Sequence, residues 1–170
     1  MAAILGAYWY LPYATISSMD YRHDEGERCF WAIFSTAIGV CLMIGADTQK
    51  YVQLKFKKGL INDGFFALTR NPNYLGEIMI YGGFGIMAKS ALGWAILLTI
   101  WTVLFGTGML KKELSLMKKP GWLEYKQRSL LLLPRLVPNY QQNYLIYGGI
   151  GLLSVLFYFA GGLFKTLGVK

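Results

Sequence analysis

Long apolar runs alternate with short polar segments along this chain. Uncharged or nearly uncharged stretches cover residues 3–19, 30–46, 72–88, 91–110 and 144–163. A helix needs about 20 apolar residues to cross the hydrocarbon core of a bilayer, so the pattern predicts about five transmembrane helices. The first run contains Pro12 and is the weakest candidate. Lys89 and Ser90 alone separate the third run from the fourth, so these two spans are expected to form a tight antiparallel hairpin.

Basic residues concentrate in two of the segments between these runs. Residues 47–71 and 111–138 together hold twelve of the 17 Lys and Arg residues. With five spans, both segments fall on the same side of the membrane, which is the positive-inside pattern. Both also carry aromatic or leucine residues, as chains that lie on a membrane surface do. We therefore expect an all-α, polytopic membrane domain over residues 1–170, with two basic amphipathic segments on one face.

The composition agrees with this prediction and excludes several kinds of function. Hydrophobic residues make up 55% and charged residues 15% of the chain, which is too little charge for the surface of a short soluble domain. The net charge of +8 is accounted for by the basic segments, so no nucleic-acid partner is expected. Cys29 and Cys41 form no metal-binding pair, and His23 is the single histidine, so no metal site is expected.

Residues 70–77, Arg-Asn-Pro-Asn-Tyr-Leu-Gly-Glu, are the most informative stretch. Asn71 followed by Pro72 predicts a helix start, with Asn as the N-cap and Pro at the first helical position. The free N–H groups and the positive dipole end of such a helix, with Arg70 beside them, suit a phosphate group.

Glu77 places a carboxylate inside the third predicted span. Tyr74, Glu77 and Tyr81 share one helix face, and Asn73 lies four residues before Glu77. A carboxylate in a membrane helix normally faces a polar cavity or a partner; pairing with a lysine or with Asn73 near the interface is the alternative. Glycines in this span would allow a second helix or a flat ligand to approach closely. These glycines are Gly76, Gly82, Gly83 and Gly85.

Five short elements carry a family resemblance, at residues 46–50, 58–66, 70–78, 109–113 and 120–126, and Leu133-Pro134 follows them. In this order they resemble the DUF1295 members of the superfamily that joins steroid 5-alpha-reductases, sterol reductases and isoprenylcysteine carboxyl methyltransferases. The resemblance covers roughly residues 46–136 and implies that this part is the core around a nucleotide site. It implies a pocket between the last helices and their cytosolic extensions.

The resemblance also implies a cofactor and the residues that line its pocket. The reductase branch binds NADPH, and the methyltransferase branch binds S-adenosylmethionine. The amino-acid sequence of residues 73–77 is closer to that of the reductases. Basic residues also suit the phosphates of NADPH better than they suit a sulfonium. Tyr74 or Glu77 would then lie near the reacting end as the catalytic residues. The cofactor-binding residues implied are Lys50, Arg70, Asn73, Tyr74, Glu77, Glu113 and Tyr125.

Three departures from the family pattern leave the activity open. Asn71 stands where an Arg-His-Pro version of the motif has histidine, and Pro120 precedes Gly121 where sterol reductases have tyrosine. Fewer spans precede the core than in relatives. Three alternatives therefore remain: an NADPH-dependent reductase of a lipid or sterol-like double bond, an S-adenosylmethionine-dependent methyltransferase, and an inactive relative without cofactor that serves as an accessory subunit of a membrane complex.

The last predicted span, residues 144–163, lies beyond the resemblance. Residues 72–87 and 138–153 are identical at eight of sixteen aligned positions, with Asn143 where the first copy has Glu77. A duplication and a shared pattern of helix starts and packing glycines both account for this. Gly148, Gly149 and Gly151 would let the last span pack closely, including against other membrane subunits. We expect an integral protein of the endoplasmic reticulum or the mitochondrial inner membrane, with membrane lipids as partners.

Overall fold

Six helices make up the fold of the computed structural model, which describes residues 2–17 and 26–163. They are α1 (Ala2–Ser17), α2 (Gly26–Phe56), α3 (Pro72–Ala88), α4 (Ala91–Leu116), α5 (Trp122–Arg128) and α6 (Tyr140–Phe159). A 3₁₀ turn, Gly64–Phe66, precedes α3, and Trp101–Phe105 forms a π-helical segment within α4. Met19, the predicted end of the first span, lies outside the described residues, as does His23.

The helix positions agree with the apolar runs, but the bounds differ. The helix α1 runs through Pro12, the residue that made the first run the weakest candidate. The helix α2 continues ten residues beyond the predicted end of its span, and α4 continues six beyond its own. Charged side chains end an apolar run without ending a helix, because Lys, Gln and Glu are good helix formers.

Two helices, α2 and α4, are each long and apolar enough to cross a membrane. Their apolar residues point largely outward: Ile33 on α2 is 69% exposed and Leu98 on α4 is 55% exposed. Such a surface needs a cover of apolar groups, since soluble monomers rarely expose large contiguous apolar patches. Together these features indicate that the chain associates with a membrane.

Glycines bring α2 and α3 into close antiparallel contact. A Cβ atom built on Gly39 of α2 would lie 2.6 Å from the carbonyl oxygen of Gly76, and one built on Gly76 would lie 2.6 Å from that of Gly39. Nearer the other end of α3, the Ser35 hydroxyl donates to the Met79 carbonyl oxygen at 2.8 Å. Arg28 donates to the Ile86 carbonyl oxygen at 2.8 Å. The glycines of the third run therefore serve helix packing here.

A tight turn joins α3 and α4 into the predicted antiparallel hairpin. Lys89 ends α3 in the left-handed conformation, with φ of 48°, which is uncommon for a residue with a Cβ atom. The Ser90 hydroxyl then caps α4 by accepting a hydrogen bond from the Gly93 amide at 3.1 Å. Helix α1 packs beside this turn, where Leu11 is fully buried and contacts Gly93.

The last helix differs from α3 despite the sequence repeat. It begins at Tyr140, two positions later in the repeat than Pro72 of α3. The Asn143 side chain is fully buried and accepts from the amides of Leu136 and Val137, at 2.8 and 3.1 Å. Nothing described lies within 4 Å of a Cβ atom built on Gly148, Gly149 or Gly151. Within the described residues these glycines therefore have no close neighbour.

The two basic segments lie together at one end of the helices. The Lys119 ammonium of the second segment donates to the Gly59 carbonyl oxygen of the first at 2.7 Å. Lys89 lies at the far end of α3, and a helix of 17 residues is about 25 Å long. This separation agrees with the sorting of charges expected from the sequence.

Cysteine labelling tests the topology that follows. Lys55→Cys and Lys118→Cys, in a protein with Cys29 and Cys41 replaced by serine, should react with a membrane-impermeant maleimide from the same side of sealed vesicles. Lys89→Cys should react only from the other side, because a charged group does not rest in the hydrocarbon core. Labelling of the first two positions from opposite sides would contradict this arrangement.

Candidate functional site

The stretch that precedes α3 is joined to the chain that follows α5. The Arg70 amide donates to the Leu130 carbonyl oxygen at 2.9 Å, and the Leu130 amide donates to that of Leu68 at 3.1 Å. These bonds make an isolated parallel bridge between Thr69 and Leu130. The Thr69 hydroxyl adds a bond of 2.7 Å to the Leu132 carbonyl oxygen. Segments about 60 residues apart in sequence therefore hold one fixed geometry at this end of the molecule.

Arg70 lies at the centre of this junction and is 6% exposed. Its Nε atom is 3.1 Å from a carboxylate oxygen of Glu113, and its Nη1 atom donates to the Ser129 carbonyl oxygen at 2.6 Å. The guanidinium also lies over the Trp122 ring, 5.5 Å from its centroid. These contacts are with protein groups, so the cation connects α3, α4 and α5 and its charge is largely compensated within the chain.

The start of α3 is enclosed, contrary to the open phosphate site expected there. Asn71 occupies the N-cap position, but its side chain makes no capping hydrogen bond. Its Nδ2 atom instead donates to the Leu131 carbonyl oxygen at 2.8 Å, and its Oδ1 atom accepts from the Lys112 ammonium at 2.9 Å. Asn71 is 1% exposed because the chain around Leu131 covers it.

Tyr125 supports the same junction from α5. It is 1% exposed, and its hydroxyl donates to the Phe66 carbonyl oxygen at 2.8 Å. Burial raises the pKa of Tyr125 to about 12. The hydroxyl therefore stays protonated over the physiological range, and its proton is engaged in a bond that holds the 3₁₀ turn.

A small cleft opens beside this junction, between the two basic segments. Its volume is about 60 Å³, against roughly 300–1,000 Å³ for pockets that enclose a whole small-molecule ligand. Lys112 lies in its wall, where its ammonium donates to the Arg70 carbonyl oxygen at 2.9 Å and lies 5.4 Å from the centroid of the Phe66 ring. The residues with polar or aromatic side chains that line the cleft are Lys50, Phe66, Arg70, Lys112, Lys119 and Tyr125.

The surroundings of the cleft change the pKa of Lys112. The sequence predicts a span over residues 91–110, and Lys112 lies beyond it in the second basic segment. Burial lowers the pKa of Lys112 to about 8, with a further contribution from the positive charge of Lys50. Asp47 and Glu113 act in the opposite direction. The charged form of Lys112 is therefore disfavoured in the cleft, mainly because it is buried.

The structure divides the predicted site residues into two groups. Lys50, Arg70 and Tyr125 line the cleft, and Glu113 pairs with Arg70. The others lie along α3 and are not among the residues that line it: these are Asn73, Tyr74 and Glu77.

Of the α3 group, Tyr74 lies against α4. The Tyr74 ring is 4.9 Å from that of Phe105, centroid to centroid, and its hydroxyl lies against Gly108. Glu77 is half-buried on the same helix. The Oδ1 atom of Asn73 is buried and has no hydrogen-bond partner in the described structure. Such an atom is costly to bury without a partner, so this position suits an additional donor.

Two lysines of the cleft were missed from the sequence. Lys112 immediately precedes Glu113, which was predicted, but helical spacing does not tell which of Lys111 and Lys112 faces the protein. Lys119 follows the end of α4, where no helix period applies. The sequence feature that pointed to these lysines was the concentration of basic residues in this segment. That feature does not distinguish residues that line the cleft from exposed ones.

The fold and the cleft define an all-helical, membrane-associated protein whose two basic segments meet over a cationic site. The model of the DUF1295 family, described as a protein of unknown function, matches residues 7–128. Because the match covers well over half of the chain, the protein belongs to the DUF1295 family. The match begins within α1, ends with α5 and excludes α6. No curated protein and no solved structure matches the chain.

Proposed function

We propose that this chain is a membrane-embedded, NADPH-dependent reductase that acts on a double bond of a lipid or sterol-like substrate. The observation that carries the proposal is the cationic cleft at the point where residues 47–71 meet residues 111–138. In the superfamily that the chain resembles, these elements surround a nucleotide. We further propose five membrane spans in one domain over residues 1–170, with residues 46–136 as its core.

The residues of the cleft fit one end of NADPH. Lysine ammonium groups form charge-assisted hydrogen bonds with phosphate oxygens, and Lys50 is an exposed cation at the cleft. A volume of about 60 Å³ suits an anionic group and not a whole dinucleotide. When bound, NADPH supplies a hydride. Arg70, Glu113 and Tyr125 would orient the walls of the site, because their contacts join the segments that form it.

Charge favours NADPH over S-adenosylmethionine. The cleft brings together Lys50, Lys112 and Lys119, and among the described residues that line it there is no Asp or Glu. A sulfonium next to these lysines would be repelled, whereas phosphates would be attracted. The methyltransferase alternative therefore has weaker support from the electrostatics.

The substrate would approach along α3, which carries the predicted catalytic residues. Tyr74 and Glu77 supply a hydroxyl and a carboxylate within the apolar part of the molecule, where such groups are costly and commonly functional. The buried Oδ1 atom of Asn73 offers an acceptor one residue before Tyr74. We propose that these residues orient the polar part of a lipid substrate in the endoplasmic reticulum or the mitochondrial inner membrane.

A second candidate function is that of an accessory subunit without a cofactor. The open surface at Gly148, Gly149 and Gly151 favours it, because these glycines have no close neighbour in the described structure. A partner helix could approach closely there. Helix α6 also lies outside the part of the chain that the family model matches.

Titration of the purified protein distinguishes these functions. NADPH should bind saturably in detergent or nanodiscs, with an affinity that falls as salt is raised, because its phosphates meet exposed lysines. Lys89→Gln, which removes a charge at the opposite end of α3, should bind NADPH as well as the wild type. Saturable binding of S-adenosylmethionine alone would favour the methyltransferase. Failure of both ligands to bind at millimolar concentration would rule out both enzyme functions and leave the accessory subunit.

A further inference from the structure

Three lysines from different parts of the chain converge on the cleft between the basic segments. Lys50 comes from α2, Lys112 from α4 and Lys119 from the turn after α4. They share walls that are otherwise formed largely by apolar residues, among them Leu54, Ile61 and Leu116. Like charges in such surroundings repel one another more strongly than they would in bulk water.

Two of these ammonium groups are held in place by backbone carbonyls. Lys112 donates to the Arg70 carbonyl oxygen and to Asn71 Oδ1, both at 2.9 Å. Lys119 donates to the Gly59 carbonyl oxygen at 2.7 Å. A lysine ammonium has three N–H groups, so these bonds fix the positions of the nitrogens without using all of their protons. Pre-positioned donors lose less entropy when a ligand binds.

Arg70, in contrast, faces its own protein partners. Its Nε and Nη1 atoms contact Glu113 and Ser129, and its plane lies over Trp122. It is 6% exposed. Among the described residues no Asp or Glu lines the cleft, so the lysines supply its positive charge. An anion would complement that charge.

We propose that Lys112 and Lys119, together with Lys50, form a binding site for the phosphate group of a phosphorylated ligand, and that Arg70 is a positioning residue. Where the ligand is NADPH, this phosphate site is part of the cofactor site of the proposed function, and the inference then rests on that function. The phosphate can also come from the headgroup of an anionic lipid, because the cleft lies beside apolar helices at the expected membrane surface.

Anion binding should then be linked to a proton on Lys112. The groups that act on its charge are Lys50, Lys119, Asp47 and Glu113, in addition to burial. With a pKa of about 8, Lys112 loses its proton in the free protein as pH rises above that value. A phosphate favours the charged form, so binding should take up a proton above pH 8 and weaken as pH rises further.

Matched lysine substitutions test the site. Lys50→Gln and Lys119→Gln should each weaken binding of inorganic pyrophosphate and of NADPH about tenfold, since each removes one charge-assisted contact. Lys111→Gln and Lys118→Gln remove the same charge from exposed neighbouring positions and should change it less than twofold. Lys112→Gln also removes two structural hydrogen bonds and Lys119→Gln removes one, so the argument depends most on Lys50→Gln.

Titration calorimetry in the full protein separates the possible results. We expect pyrophosphate and NADPH to compete, and proton uptake at pH 8.5 should appear as a dependence of the heat on the buffer's ionisation enthalpy. Competition by phosphatidic acid in nanodiscs, at equal salt and against phosphatidylcholine alone, would identify a lipid headgroup as the source of the phosphate.

The proposed function and this inference fail in different ways. Pyrophosphate binding that depends on Lys50 and Lys119, without NADPH binding, would support the site and remove the reductase. NADPH binding that is unaffected by both substitutions would support the cofactor and overturn the site. Binding reduced equally by Lys118→Gln and Lys119→Gln would also overturn it, because general surface charge would then suffice.

Discussion

Replacement of Arg70 by methionine is expected to destabilise the folded protein by about 3–5 kcal/mol, as removal of one partner from a buried ion pair does. The variant would leave the Glu113 carboxylate without its cation, and the Ser129 carbonyl oxygen would keep only the Tyr140 hydroxyl as a donor. At roughly 2–4 °C per kcal/mol for a chain of this size, the melting temperature should fall by about 6–20 °C. Thermal unfolding in detergent, followed by tryptophan fluorescence, measures the change.

Arg128→Met is the matched control. Arg128 is exposed in the same region, at the end of α5. Its replacement removes the same charge and should change stability by less than about 0.5 kcal/mol, as surface substitutions usually do. Similar melting temperatures for the two variants would mean that Arg70 does not hold the basic segments together.

Replacement of Gly76 by alanine is expected to destabilise the protein by about 1–3 kcal/mol, the cost of adding atoms to a filled space. The new Cβ atom would lie 2.6 Å from the Gly39 carbonyl oxygen and 2.7 Å from the Met43 amide nitrogen. Both are main-chain atoms, which cannot rotate away as a side chain can. Helices α2 and α3 would have to separate, so the effect should lie near the upper end of this range.

Gly106→Ala provides the control on another helix. Nothing described lies within 4 Å of a Cβ atom at Gly106, which lies in α4. Alanine there should stabilise the protein by about 0.5–1 kcal/mol, because it restricts the unfolded chain more than glycine does. If Gly76→Ala were as stable as Gly106→Ala, the close contact of α2 and α3 would be wrong. Chemical denaturation of both variants in the same detergent makes the comparison.

Arg70 shows that a motif residue can be bound by groups of the protein itself. The sequence places it beside a helix start, where a phosphate is a reasonable expectation. In the folded chain it pairs with a carboxylate 43 residues away and reaches a carbonyl oxygen 59 residues away. Its contribution to a bound phosphate would then be indirect, through the positions of the cleft walls.

Glycines at matching positions of the repeat have different surroundings in α3 and α6. Gly83 of the first copy lies against Ala32 and Thr36 of α2, whereas Gly149 at the same position of the second copy has open space around it. Identical residues therefore have different roles in α3 and α6. The difference arises because α2 packs along α3, and sequence similarity between two helices carries no information about their neighbours.

The sequence by itself determined the helical class, the approximate positions of the helices and the tight turn at Lys89. Apolar run length and the absence of charge are local properties, and a helix satisfies its backbone hydrogen bonds within its own segment. The helix ends were less well predicted: α2 and α4 continue past the first charged residues. Charge limits how deep a segment lies in a membrane, but it does not stop the backbone from continuing as a helix.

Only the tertiary structure decided which charged side chains meet. The sequence showed that basic residues are abundant in two segments. It did not show that Lys112 and Lys119 face the cleft while Lys111 and Lys118 are exposed. It also did not tell that Asn71 would bond to Lys112 and Leu131 in place of capping α3. These choices depend on contacts between residues about 40–60 positions apart. Such contacts are set by how the helices pack and by where the connecting segments can reach.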